Sequence, residues 1–259
     1  MDYIKRDYKV TNALMGPDFH LTALGAQMLA QDCFAALMAR YHVAAFDLRL
    51  RSLMWIISEF SMQFQGDMPY WGETVSVELR VTERPAVKVY VDYRITHKGN
   101  IFCKGDSVWA ILDAGTRRPV VASGILSGMD FDDGPAGEKH RHRLPPAGAS
   151  LFSHTHNTCL SDTDFNTHIS NITYMRLCGN AMPPEYRSDH IVSSISILFT
   201  HESFLGQKLK CDVSATDRPD SWLYIITDTD GTVCSRALIS YATVPQCTLN
   251  LDCLEIRKN

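Results

Sequence analysis

Residues 161–176 concentrate several side chains that could do chemistry in one short segment. Asp164, Asn166 and His168 alternate, so an extended backbone would point all three in the same direction. The apolar spacing that follows predicts a helix, with Asn171 as its N-cap. A carboxylate, an amide and an imidazole would then meet at a helix N-terminus, whose free N–H groups stabilise developing negative charge. Such a set can polarise a carbonyl group and transfer a proton.

The same residues are also typical of a plain loop before a helix, because Asp and Asn favour turns and caps. A metal site is disfavoured, since no second His or Cys stands at helical ligand spacing. His154 and His156 alternate in a predicted strand, where satisfied or solvent-facing histidines are the simpler interpretation. We therefore expect neither a metal nor a cofactor.

The composition is that of an ordinary globular protein. The chain has 259 residues, of which 45% are hydrophobic and 21% charged, and its net charge is -4. This balance argues against a nucleic-acid partner. No apolar run suggests a membrane span or a secretory signal, so we expect a cytoplasmic protein, either a monomer or a homodimer. The eight cysteines form no CxxC pair and are expected to be free thiols.

Two halves of the chain repeat one order of elements: a strand, a helix, and about four antiparallel strands. Gly72 and Gly206 mark the same corner in each half, 206 − 72 = 134 residues apart. The expected division is residues 1–123, a Gly- and Pro-rich linker at 124–150, and residues 151–259, which carry the catalytic candidates. Each half needs a helix to cover its sheet. The predicted fold class is therefore α+β, a tandem (double) hotdog with two antiparallel β-sheets each wrapped around a helix.

Three blocks of sequence resemble one known family, the acyl-acyl-carrier-protein thioesterases of bacteria and plant plastids. Residues 161–171 resemble its S-D-x-D-x-N-x-H-x-N-N segment. Residues 53–56 and 69–73 resemble its L-x-W-V and P-x-W-G-D blocks, and residues 107–109 and 116–119 its S-x-W and T-R-R blocks. The blocks occur in the family's order and spacing, which makes the resemblance specific.

The resemblance implies hydrolysis of the thioester between a fatty acyl chain and the phosphopantetheine arm of acyl carrier protein. Carried over residue by residue, the family's catalytic set is Asp164, Asn166, His168 and Glu202. Ser203 stands where the family has a cysteine, which argues against a thiolate nucleophile at this position. We include it among the substrate-binding candidates, which are Ser170, Asn171, Ser203 and Trp55.

Two mechanisms are open at this stage. In the first, Asp164 or Glu202 activates water while helix amides near Ser170 and Asn171 receive the oxyanion; the sequence does not separate the two carboxylates, and we favour Asp164 for its place beside the helix. In the second, Ser203 is a nucleophile with His168 as its base, oriented by Asp164 or Asn166. We favour the water mechanism.

Two further functions compete with acyl-carrier-protein hydrolysis. An acyl-coenzyme A thioesterase would use the same pantetheine arm, and a non-catalytic acyl-binding hotdog protein would keep the pocket without turnover. Docking of an acidic carrier protein is expected to involve the basic run of the linker, together with a basic pair that precedes the linker. These residues are Lys139, Arg141 and Arg143 in the run, and Arg117 and Arg118 in the pair.

Overall fold

The computed structural model describes residues 3–83, 86–129 and 144–243. Within these ranges ten strands form one antiparallel sheet. In chain order they are β1 Tyr3–Lys9, β2 Leu53–Phe64, β3 Thr74–Glu83, β4 Lys88–His97, β5 Asn100–Asp113, β6 Phe152–Asn157, β7 His190–Phe199, β8 Lys208–Ala215, β9 Ser221–Thr227 and β10 Val233–Thr243. The helices in the same ranges are α1 Ala23–Arg40, α2 Ala45–Arg49, α3 Ala122–Ile125, α4 Asn171–Ala181 and α5 Pro184–Ser188.

The sheet consists of two five-stranded halves with the same topology. The first half has the order β1-β3-β4-β5-β2, and the second has the equivalent order β6-β8-β9-β10-β7. The two halves join where β2 pairs with β7, for example Phe60 with Ile197. The α+β tandem hotdog is confirmed, with its two sheets united edge to edge into one. The division at residues 123 and 151 stays a prediction, and residues 130–143 of the expected linker lie outside the described ranges.

The long helix α1 lies against the first half of the sheet, on β1 and β3, and also contacts α4. Its small side chains allow this close approach, and Gly25 is the clearest case. A Cβ added at Gly25 would strike the backbone carbonyl oxygen of Leu14, so a larger residue there would displace the helix. Thr22 caps the helix as its side chain accepts a hydrogen bond from the Gly25 amide at 2.9 Å.

Helix α4, the long helix of the second half, begins one residue earlier than the sequence suggested. The N-cap is Ser170, whose hydroxyl accepts from the Ile172 amide at 3.3 Å, and Asn171 is the first helical residue. The predicted N-cap at Asn171 is therefore wrong by one position, because both residue types can cap and only the backbone angles decide between them. Gly72 and Gly206 do mark equivalent corners, with positive φ values of 80° and 85°.

No helix in the described part of the chain is long and apolar enough to cross a membrane. Six described cysteines are free, and all but Cys159 are buried.

Candidate active site

The backbone of the Asp164–His168 segment forms a tight loop. The Asp164 amide donates to the His168 carbonyl at 2.9 Å, and the Thr167 amide donates to the Asp164 carbonyl at 3.0 Å. Thr167 adopts a positive φ of 65° to close the turn. The expected extended backbone is therefore wrong here. Asp164, Asn166 and His168 still meet, because the loop turns all three toward one cavity.

Asp162, which precedes this loop, holds it in place through its backbone carbonyl and its carboxylate. Its carbonyl accepts from the Ser170 amide at 2.8 Å, and its buried carboxylate is paired with the Arg176 guanidinium. Burial alone would raise the pKa of Asp162, but hydrogen bonds from the Cys159 amide and from His156 outweigh it and lower the pKa to about 2. Asp162 therefore remains ionised and holds the loop in place.

The same anchor contains the one described group whose donor atoms could hold a metal. His156, Cys159 and Asp162 bring one ligand atom each within 4.8 Å of one another. The Asp162 carboxylate is already shared among His156, the Cys159 amide and Arg176. A cation there would have to displace these donors and lie beside a guanidinium, so we interpret the group as a structural hydrogen-bond cluster.

A closed cluster of polar side chains forms at the end of the Asp164–His168 loop, from His168, Glu202 and Arg117. Arg117 Nη2 lies 2.8 Å from His168 Nε2, and Arg117 Nη1 lies 3.2 Å from Glu202 Oε1. His168 Nδ1 lies 3.5 Å from the same Glu202 oxygen. A guanidinium can only donate, so Nε2 must be the acceptor and the proton of the neutral imidazole belongs on Nδ1, facing Glu202.

The sequence predicted a docking role for Arg117 and missed its place in this cluster. Arg117 follows β5 in a turn that is held by Asp113, whose Oδ1 accepts from the Thr116 amide at 2.7 Å. The Arg117 amide itself donates to the Asp113 carbonyl at 2.9 Å, and its φ is 58°. This turn aims the side chain across the junction into the other half. The T-R-R block was the only signal that could have indicated it.

Asp164 has a different electrostatic environment from Asp162. Burial raises the pKa of Asp164, and the backbone hydrogen bonds from Asn166 and His168 and the electrostatic interaction with His168 oppose this shift without cancelling it. The nearby negative charge of Glu202 adds to the increase. A carboxylate with a raised pKa is a stronger base than an ordinary Asp, which suits it to take a proton from water.

These groups face a cavity of about 630 Å³ at the junction of the two halves. The first half contributes apolar side chains from α1, β2 and β5, and the second half contributes the polar loop and the residues after β7. Of the predicted site residues, seven line it: Trp55, Asp164, Asn166, His168, Ser170, Asn171 and Glu202. An apolar wall that faces a polar end can hold a ligand with an apolar part and one polar group.

The start of α4 offers one donor to this cavity. The Ser170 amide is already bonded to the Asp162 carbonyl, so it is not the free donor that the sequence suggested. The Asn171 amide, at the first helical position, has no acceptor among the described residues. An anion bound there would also benefit from the helix N-terminus.

The structure does not place Ser203 with the other substrate-binding candidates. It is fully buried and absent from the described lining of the cavity. Its hydroxyl accepts from the Tyr174 hydroxyl at 2.9 Å, and its carbonyl accepts from the Ile169 amide. Ser203 thus supports the loop from behind and lies outside the described lining of the cavity. The neighbouring His168 has its nitrogens directed to Arg117 and Glu202, so a serine–histidine pair is not formed.

A loop of the same geometry, Gly16–His20, precedes α1 in the first half. The Gly16 amide donates to the His20 carbonyl at 2.9 Å, as in the Asp164–His168 loop, and the fourth residue has a φ of 63° there and 65° here. His20 thus stands in the place of His168, a correspondence that the sequence analysis missed. Gly16 stands in the place of Asp164, so the first loop has no carboxylate at that position, and its own carboxylate, Asp18, stands in the place of Asn166.

Sequence comparisons agree with this picture. Residues 149–243 match the family model of the acyl-ACP thioesterase C-terminal domain. The chloroplastic acyl-[acyl-carrier-protein] hydrolase FATB3 of Cuphea viscosissima is 24% identical over 160 residues, which cover 59% of this chain and 39% of that protein. A palmitoyl-acyl carrier protein thioesterase of Cuphea hookeriana is 23% identical over 161 residues, with the same coverage. The matches thus span about two fifths of the length of these relatives.

Two solved structures have the same fold over nearly the whole chain. An acyl-ACP thioesterase from Bacteroides thetaiotaomicron and the 12:0-ACP thioesterase from Umbellularia californica each align with a TM-score of 0.82 and 17% identity, covering 93% of this chain and 98% of theirs. The protein is therefore a tandem hotdog protein with a polar site at the junction of its two halves. Residues 149–243 match the model of the acyl-ACP thioesterase C-terminal domain, and the predicted resemblance to these thioesterases is confirmed.

The raised pKa of Asp164 predicts a stability effect of Asp164→Asn. In wild type the ionised form of Asp164 is disfavoured in the folded state. The Asp164 carboxylate therefore lowers the free energy of unfolding by its full amount above the folded-state pKa. It has no effect at pH values well below the ordinary pKa of 3.8. Asparagine keeps the bond to the Asn166 amide and removes the charge. We expect a higher melting temperature at pH 7 than wild type, and no difference near pH 3.

Thermal unfolding across pH 3–8 measures this difference. Asp212→Asn, on β8, provides a control that changes the same charge away from the cavity. A melting temperature of Asp164→Asn that is lower than wild type at pH 7 and equal at pH 3 would contradict the assignment.

Arg117 is predicted to fix the tautomer of His168. In wild type we expect the Nδ1–H form to dominate, because Arg117 donates to Nε2. In Arg117→Ala this preference should fall to about equal populations of the two tautomers. Imidazole ¹⁵N chemical shifts report the tautomer directly, and Arg118→Ala, an exposed neighbour, is the control. Equal spectra for wild type and Arg117→Ala would refute this role.

Proposed function

We propose that this protein hydrolyses the thioester of a fatty acyl-acyl carrier protein, releasing the free fatty acid and the carrier protein. One observation carries the proposal: Asp164, with its raised pKa, lines a junction cavity beside the His168–Glu202–Arg117 cluster. The curated relatives named above are chloroplastic acyl-carrier-protein hydrolases and thioesterases, which supports the substrate class. A cytoplasmic location and a monomeric or homodimeric state remain predictions.

In the proposed mechanism Asp164 acts as the general base. It takes a proton from a water molecule whose oxygen attacks the thioester carbon. The carbonyl oxygen becomes an oxyanion that accepts a hydrogen bond from the Asn171 amide at the N-terminus of α4. The intermediate then collapses, the carbon–sulfur bond breaks, and the pantetheine thiolate leaves and receives the proton. A thiolate leaves readily near neutral pH, so no strong acid is required.

The remaining polar groups position the reactants. The Asn166 side chain lines the cavity and makes no hydrogen bond with another described side chain, so it is available to the water or to the substrate. Glu202 and Arg117 hold the imidazole of His168 in a single orientation. This assignment favours Asp164 over Glu202 as the base, because Glu202 is already paired with a guanidinium.

The carrier protein has to approach the opening of the cavity. Phe165 lines the cavity and is 57% exposed, so it stands at that opening. Arg49 donates to the Phe165 carbonyl at 2.9 Å, which places the end of α2 beside it. We define the mouth patch as Phe46, Arg49, Leu50, Arg51 and Phe165, a group of exposed basic and apolar side chains. An acidic carrier protein is complementary to such a patch.

The mouth patch replaces part of the docking surface expected from the sequence. Arg117 is committed to His168 and Glu202 and is therefore not a free docking residue. The basic run with Lys139, Arg141 and Arg143 lies outside the described residues, and its docking role stays a prediction.

The mechanism predicts distinct results for three substitutions. Asp164→Ala should lower kcat by about 10²–10⁴-fold, as for loss of a general base. Glu202→Ala should also lower kcat severely, because His168 and Arg117 lose their shared partner. Ser203→Ala should retain most of the activity. The measurement is thiol release from acyl-acyl carrier proteins of graded chain length, with a burst experiment to detect an acyl-enzyme.

Other results would point elsewhere. An acylated Ser203, or a Ser203→Ala variant as inactive as Asp164→Ala, would overturn the water mechanism. Equal kcat/KM for matched acyl-coenzyme A substrates would favour an acyl-coenzyme A thioesterase. Tight binding of acyl chains without thiol release from either substrate would leave a non-catalytic acyl-binding protein.

Charge reversal in the mouth patch tests the docking surface. Arg49→Glu with Arg51→Glu should raise KM for acyl-acyl carrier protein about tenfold and leave KM for an acyl-pantetheine mimic nearly unchanged. Salt should weaken the wild-type interaction in the same selective way, because exposed charges are screened beyond about 8 Å at physiological ionic strength.

The matched control is Lys5→Glu with Lys9→Glu, the same change of charge on exposed positions of the outer strand β1. The single variant Arg51→Glu separates docking from any disturbance of the bond between Arg49 and Phe165. Equal effects on both substrates, or an equal effect of the control pair, would refute docking at the mouth patch.

A further inference from the structure

Helix α1 presents two glutamines, one turn apart, on the side that faces the cavity. Gln31 lines the cavity together with Phe34 and Met38, and Gln27 lies four residues before it on the same helix face. Gln27 is 0% exposed, and neither atom of its amide has a hydrogen-bond partner among the described residues. The amide nitrogen of Gln31 is also buried and has no partner there.

This pair is unexpected in a wall that would bind only hydrocarbon. Buried polar atoms in proteins are nearly always hydrogen-bonded, and leaving an amide unpaired costs stability. Apart from Arg117, which is bonded to His168 and Glu202, the rest of the described cavity wall from the first half is apolar, including Trp55, Ile57 and Trp109. Leucine or methionine would fill the volume of either glutamine without this cost. An oxygen atom on the ligand would supply the missing partner.

We propose that the acyl group accepted by this cavity carries an oxygen substituent, a hydroxyl or a carbonyl, that hydrogen-bonds to the amide of Gln31. Gln27, buried one turn away, extends the polar strip into the wall. The inference rests on the proposed function, since it names the class of acyl chain that the same site takes. A plain saturated chain would leave the amide nitrogen without an acceptor, and binding of such a chain is weakened accordingly.

A second reading of Gln31 makes a different prediction. Its amide could bind the thioester carbonyl or an amide of the pantetheine arm, both of which are common to all substrates. Loss of Gln31 would then affect every acyl chain equally. Comparison of chains with and without oxygen therefore separates the two.

The experiment compares carrier-bound acyl chains of one length that are saturated, or that carry a hydroxyl or a carbonyl at carbon 3 or a hydroxyl near mid-chain. For wild type we expect kcat/KM to be at least about tenfold higher for one or more oxygenated chains than for the saturated chain. Gln31→Leu should remove this preference by losing activity on the oxygenated chain while keeping it on the saturated one. Gln63→Leu makes the same chemical change at an exposed position of β2 and should leave the preference intact.

Gln31→Ala serves as a second variant in case leucine overfills the wall, and its preference should fall in the same way. Equal kcat/KM of wild type for saturated and oxygenated chains, or an equal loss on both in Gln31→Leu and Gln31→Ala, would overturn the inference.

Binding of the free fatty acids, measured by calorimetry on the same proteins, keeps the inference distinct from the proposed function. In one outcome no thioester is hydrolysed, but wild type binds the oxygenated acid about tenfold more tightly than the saturated acid and Gln31→Leu binds both equally. In that case the proposed function fails and the inference stands. If hydrolysis occurs and neither kcat/KM nor binding distinguishes the chains, the inference fails and the proposed function stands.

Discussion

The hydrogen bonds that join Arg117 to His168 and Glu202 depend on the pairing of β2 with β7. Arg117 follows β5, the neighbour of β2, whereas Glu202 follows β7. The continuous sheet places the ends of these strands beside each other, so a guanidinium from one half reaches an imidazole and a carboxylate of the other. Neither half contains this cluster by itself. The cavity has the same origin, since both halves supply its wall.

Two aspartates that are close in sequence acquire opposite properties from their surroundings. Asp162 is held by a guanidinium, a histidine and an amide, and its pKa is lowered to about 2. Asp164 receives only backbone hydrogen bonds in a partly buried place beside Glu202, and its pKa is raised. The first carboxylate thus stays charged and fixes the loop, whereas the surroundings of the second favour its protonated form more than those of an ordinary Asp.

The duplication has preserved backbone geometry more faithfully than chemistry. The loops before α1 and α4 share their closing hydrogen bond and a residue with positive φ, although one begins with glycine and the other with aspartate. Their histidines even keep similar edge contacts, His20 with Tyr70 at 5.4 Å and His168 with Phe204 at 5.3 Å between ring centroids. Main-chain hydrogen bonds hold such a loop whatever its side chains are, so its polar residues were free to diverge in one half.

The sequence by itself determined the fold class and most of the site. The repeated order of strand, helix and antiparallel strands and the repeated Gly corner are patterns in the chain itself, and they indicated the tandem hotdog without any long-range information. The spacing of Asp164, Asn166 and His168 likewise selected residues that do line the cavity. Only the tertiary structure decided which neighbours each of them has. Arg117 reaches His168 across 51 positions of the chain, and Ser203 is turned into the core behind the loop, because strand pairing and burial set these contacts and neither leaves a local periodic signal.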